Sequence, residues 1–126
     1  MNSKMHVLLA DDQPSVRFAL RVLLEQQPAM HIAGEALDAV GLLTQVRATH
    51  PDLVLLGWEL PGLSAGRLIK ALRQAQPGLF IIALSGHFEA RHAALAAGAD
   101  AFVSKGDPPD KLLAAIAVCR HIAEQR

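Results

Sequence analysis

The sequence has no tyrosine, one tryptophan and four phenylalanines among its 126 residues, and a single cysteine, Cys119. One cysteine excludes an internal disulfide and a cysteine-built metal site, and it suits a reducing compartment. Charge is scarce too: 19% of residues are ionised side chains, and twelve basic ones balance twelve acidic ones. With no net charge there is no strong field to draw in nucleic acid or anionic lipid. So few aromatics, and no helix-turn-helix pattern, argue against direct DNA binding. No apolar run approaches the ~20 residues of a membrane span, and Met1-Asn2-Ser3-Lys4 lacks the core of a signal peptide. The expected setting is cytoplasmic.

What is present is a hydrophobic fraction of 52%, too high for a disordered chain. The charge is also unevenly spread. Residues 1–63 hold four Lys/Arg and seven Asp/Glu, and residues 64–126 hold eight and five. The length fits one domain over 1–126, with its core over about 4–124 and no output domain within it.

One rhythm runs five times along the chain. Short apolar stretches at 6–10, 30–33, 53–56, 79–84 and 101–103 alternate with amphipathic ones. Unbroken apolar strands belong to a sheet covered on both faces. Val16, Ala19, Leu20 and Leu23 share a helix face behind Pro14, and Ala39, Leu42, Leu43 and Val46 share another behind Asp38. Ala65, Leu68, Ile69 and Leu72 follow Ser64 in the same way. A fourth helix is predicted over 87–97, ended by Gly98, and a fifth from Pro109 past Ile122. The order (βα)₅ means an α/β doubly wound sandwich with a parallel sheet and right-handed crossovers.

In such a sheet, ligands bind beyond the carboxyl ends of the strands. Those ends carry Asp11 and Asp12, Gly57, Ser85, and Ser104-Lys105. Vicinal acids suit a hard cation such as Mg²⁺, and a lysine opposite them suits an anion such as a phosphoryl group. His87 and His92 are five apart, off the spacing that aligns two ligands on one helix face.

These pieces together resemble a response-regulator receiver domain, the phospho-acceptor module of bacterial two-component signalling. The resemblance spans roughly residues 4–124 and is carried by Asp11-Asp12-Gln13-Pro14, by Pro51 through Leu56, and by Ala97 through Lys105. It is greatest to the NarL/FixJ-like subgroup that precedes LuxR-type output domains. It implies a flavodoxin-like fold, like that of the chemotaxis regulator, with strand order 2-1-3-4-5. It also implies an acidic pocket at Asp11 and Asp12, a switch pair at Ser85 and Phe102, and a phosphate-site lysine at Lys105. The family's phospho-acceptor aspartate would follow Leu56, and the residue there is Gly57. Glycine can neither attack a phosphoryl donor nor ligate a metal. Glu59 falls where the family lends a backbone carbonyl to Mg²⁺.

The expectation is therefore an atypical receiver, without enzymatic turnover, acting by protein contacts as the regulatory domain of a transcriptional regulator. Its partner would be a histidine kinase, an output domain or a second copy, and it would engage neither nucleic acid nor membrane directly. Mg²⁺ would be held weakly at best, by Asp11, Asp12 and the Glu59 carbonyl, and no other cofactor is expected. Two other readings stay open: a phosphotransfer-competent receiver using a substitute acid or carrying a substituted Gly57, and a small anion- or ligand-binding module at the same crevice. Candidate contact surfaces are Phe18 and Val22 on the first helix, and Leu112, Ile116 and Cys119 on the last, whose sequence is apolar all round.

Overall fold

The computed structural model describes residues 4–126; Met1, Asn2 and Ser3, read above for a signal peptide, lie outside it. Five strands and five helices alternate: β1 (Met5–Ala10), α1 (Pro14–Glu25), β2 (Met30–Ala36), α2 (Ala39–Thr49), β3 (Leu53–Gly57), α3 (Ala65–Ala75), β4 (Phe80–Ser85), α4 (Ala90–Ala96), β5 (Ala101–Ser104) and α5 (Pro109–Glu124). All pairings are parallel, in the order β2-β1-β3-β4-β5. This is the flavodoxin-like arrangement expected from the (βα)₅ rhythm.

Strand alternation sorts the apolar side chains into two cores. Leu8, Ala10, Val54, Leu56, Ile81 and Ala83 face α2, α3 and α4, while Val7, Leu9, Leu55, Ile82 and Leu84 face α1 and α5. β3 has no exposed residue, as a central strand covered on both sides requires. No helix among the described residues is long and apolar enough to cross a membrane.

The helix ends follow local chemistry. The Asp38 carboxylate accepts from Gly41 N–H at 2.7 Å and caps α2. Ser64 does the same for α3, at a longer 3.5 Å. Gly98 takes φ +111°, left-handed backbone that turns the chain from α4 toward β5.

Two expectations need correction. The fourth helix begins at Ala90 rather than near His87, because the backbone after Ser85 is tied into a turn: His87 N–H donates to Ser85 Oγ at 3.0 Å, and Ala90 N–H to His87 O. Leu112, Ile116 and Cys119 form no outward surface. They are at most 5% exposed and pack against β1, β3, β4 and β5. Their spacing of four and then three residues is a core stripe, hidden in the sequence by alanines and Val118 around it. The large apolar side chains that α5 does expose are Val118 and Ile122.

Candidate functional site

Strand register brings the site together. The last β1–β3 pair is Ala10 with Leu56, so Asp11 and Gly57 lie one step further on, side by side. Gly57 pairs onward with Leu84, and Ser85 with Ser104, which puts Ser85 and Lys105 along the same sheet edge. Lys105 N–H donates to Ser85 O at 2.8 Å and fixes the start of the β5–α5 loop.

Asp11 is the centre of this edge. It is 1% exposed. Its Oδ1 accepts from Gln13 N–H at 2.9 Å, and its backbone oxygen accepts from Arg17 at 2.7 Å. Its Oδ2 turns toward Gly57, where a Cβ built on the glycine would lie only 2.5 Å away. Asp11 therefore fills the space that a side chain at position 57 would take.

Lys105 Nζ stands 2.8 Å from the same Oδ2 and donates to Gln13 Oε1 at 3.0 Å. Asp11 Oδ2 has no hydrogen bond of good geometry, so its link to Lys105 is close charge contact rather than an aligned bond. A buried carboxylate is tolerable only when so paired.

Asp12 does not join this pair. It is exposed and belongs to none of the ion pairs found among the described residues. Sequence reasoning placed Lys105 against both acids, and the structure gives it Asp11 alone.

Glu59, though exposed, reaches inward. Its Oε2 accepts from Ser85 Oγ at 2.9 Å, joining the loop after β3 to the end of β4. Phe102 is 7% exposed and packed among the side chains under α3 and α4. Phe18 and Val22 are exposed on α1, and the Arg21 guanidinium lies 6.0 Å from the centre of the Phe18 ring.

The carboxylates at this edge are not arranged as a ready cage for Mg²⁺. The Asp11 carboxylate is neutralised by an ammonium, the Glu59 carboxylate is committed to a hydroxyl, and Asp12 faces solvent. Among the described residues no three acidic, histidine or cysteine side chains converge as a metal cage.

Two features nearby escaped the sequence reading. Glu35 on β2 receives both Arg17 (3.2 Å) and Arg21 (2.6 Å) from α1. The Arg21 hydrogen bond holds the Glu35 carboxyl below its ordinary pKa, against the opposing effect of burial. The signal was a pair of arginines four apart, meeting a lone acid in an apolar strand. Beside the stem of Lys105, a groove of about 280 Å³ lies between α1 and α5, lined by Leu20, Leu84, Val103, Pro108 and Leu112. Of the three basic residues on α3, Arg67, Lys70 and Arg73, the last is engaged within the fold. Arg73 donates to Leu79 O and Gly98 O and pairs with Asp100 at 3.0 Å, and these contacts pin the loops that feed β4 and β5.

Residues 7–117 match the family model of the response regulator receiver domain. The chain belongs to that family. It is 33% identical over 111 residues to the uncharacterized transcriptional regulatory protein YhcZ of Bacillus subtilis, covering 86% of this chain and 52% of that protein. It is 30% identical over 112 residues to the nitrate/nitrite response regulator protein NarL of Escherichia coli, covering 87% and 52%. Among solved structures, a LuxR-family two-component response regulator from Aurantimonas sp. superimposes with a TM-score of 0.85 at 32% identity, covering 94% of this chain and 87% of that one. The receiver thus spans about half the length of the regulatory proteins it matches.

Proposed function

We propose that this receiver works in two-component signalling without accepting a phosphoryl group, and passes its signal through contacts with a protein partner. One observation carries the reading. The position where the resemblance puts the acceptor aspartate is Gly57, and the space its side chain would use is occupied by Asp11 Oδ2, itself held by Lys105. A missing nucleophile could be borrowed from a neighbour only if that neighbour were free to attack. The nearest carboxylate, Asp11, is buried with neither oxygen free: Oδ1 accepts from Gln13 N–H and Oδ2 lies against the Lys105 ammonium. The Glu59 carboxylate at Ser85 supports the same reading, because it already engages the hydroxyl that the resemblance makes part of the switch pair. The contact surface we favour is α1, where Phe18 and Val22 are exposed. The partner would be a kinase, an output domain or a second copy.

The test is incubation with acetyl phosphate and Mg²⁺, followed by intact-mass measurement. The parent should gain no phosphoryl mass, while Gly57→Asp should gain one that is lost in hot acid. Stoichiometric labelling of the parent at any residue would overturn the proposal in favour of a substitute acceptor.

A further inference from the structure

At the end of the sheet opposite Asp11, two histidines stand side by side. His6 on β1 and His31 on β2 are register partners on adjacent parallel strands. Both are exposed. Their ring centres are 5.0 Å apart and the rings meet edge-on, at 69°. On β1 the neighbours Met5 and Val7 turn into the core under α1 and α5, so His6 points from the opposite face, and His31 beside it does the same.

The backbone beneath them is fixed. His6 N–H donates to Asp52 Oδ2 at 2.7 Å, and Asp52 N–H donates to His6 O at 2.8 Å. His31 sits in a paired strand between Met30 and Ile32, both partly buried in the core. The two rings are thus carried on rigid elements at a separation that the sheet sets, not on mobile loops.

That separation has a chemical meaning. A metal–nitrogen bond is ~2.1 Å and an imidazole centre lies ~1.1 Å beyond its nitrogen, so two imidazoles on one ion have centres ~4.5 Å apart at a square-planar angle and ~5.2 Å apart at a tetrahedral one. The observed 5.0 Å falls inside that window. Imidazole pairs select late first-row divalent ions over Mg²⁺ or Ca²⁺, which prefer oxygen. We propose that His6 and His31 form a two-imidazole chelate for such an ion, nickel, copper or zinc, separate from the Asp11 edge. Among the described residues no third histidine, cysteine or acid joins them, so water fills the remaining coordination positions. Because one face of the ion stays open, the site is a binding site and not a closed structural cage.

Titration calorimetry of the untagged chain with NiCl₂ and ZnCl₂ tests this. One ion per chain should bind. His6→Ala and His31→Ala should each weaken it by roughly tenfold or more, since loss of either ring removes the intramolecular second contact. His92→Ala, which removes a lone surface imidazole, should leave it unchanged. With Cu²⁺, pulsed electron paramagnetic resonance should count two coordinated imidazoles in the parent and one in each single variant. Both histidines are exposed, so circular dichroism should show all variants folded. Binding that persists in the His6→Ala/His31→Ala double variant, or no binding by the parent, would overturn the proposal.

Discussion

Lys105 Nζ and Asp11 Oδ2 lie 2.8 Å apart, at the point where β3 ends in a residue without a side chain. Ninety-four positions separate them in sequence, and each is the other's only partner of opposite charge among the described residues. Asp11 is the more deeply buried of the two, with 2% side-chain exposure against 20%. Removing the lysine therefore strands a buried carboxylate. Lys105→Ala should cost about 2 kcal/mol, below the full value for a wholly buried pair because Lys105 is partly exposed. That is a fall in Tm of roughly 8 °C for a domain this size. Asp12→Ala should change stability by less than ~0.5 kcal/mol, since Asp12 is exposed and unpaired. Thermal melts of both variants at low salt check the contrast, and equal losses would refute it.

A second prediction isolates the contact between Asp11 and Gly57. Gly57→Ala places a methyl group 2.5 Å from Asp11 Oδ2, so the carboxylate must turn away from Lys105. The expected cost is about 1–3 kcal/mol. In an Asp11→Ala background the 2.5 Å clash is gone and only the Ala10 carbonyl oxygen, 3.2 Å away, still crowds the methyl, so the same change should cost clearly less. A double-mutant cycle in urea measures the coupling, and additive losses would show that the two positions do not compete for space.

A third concerns acid stability. Glu35 has its pKa lowered, first through the hydrogen bond from Arg21. A carboxyl depressed in the folded state contributes stability above its unfolded value of 4.5, and that contribution fades as pH falls through the lower folded value. Glu35→Gln should thus be less stable than the parent at pH 7, and the two should converge as pH falls through the lowered folded value, below 4.5. Melting curves across that range read the difference directly.

A fourth concerns Cys119. Burial, with a smaller push from Asp100, raises its pKa to about 11, and the residue is only 3% exposed. At pH 8 roughly one thiol in a thousand is ionised, and the thiolate is the reactive form. Native protein should resist an aromatic disulfide reagent, and full reaction should appear only with unfolding in urea. Rapid labelling of the native state would contradict the packing of α5.

The elements were readable because each carries its own local signal. The strands are unbroken apolar runs, Asp38 and Ser64 stand at helix starts, and Gly98 at a helix end. Asp11, Ser85 and Lys105 could be placed along one sheet edge for the same reason, since strand ends and strand order determine it. Which carboxylate meets which cation is a different kind of fact. It depends on rotamers in a space created by Gly57, and no pattern along the chain distinguishes Asp11 turning inward from Asp12 turning out. Glu59 illustrates this too: its loop position was evident, but its hydrogen bond to Ser85 follows from loop curvature. On α5, helical spacing did hold the answer for Leu112, Ile116 and Cys119, but flanking small apolar residues blurred the stripe.

The strand order has a kinetic consequence. β1 is made first, yet it lies between β2 and β3, and its partner in β3 starts 46 residues later, where Val7 meets Leu53. Every rung is parallel and must wait for an intervening helix, so this domain closes long loops before it gains its central contacts. The Asp11–Lys105 pair waits longer than any strand-to-strand rung, until β5 has joined the other edge. During synthesis at ~5–20 residues per second, Asp11 then spends several seconds as an ordinary hydrated carboxylate before its burial begins.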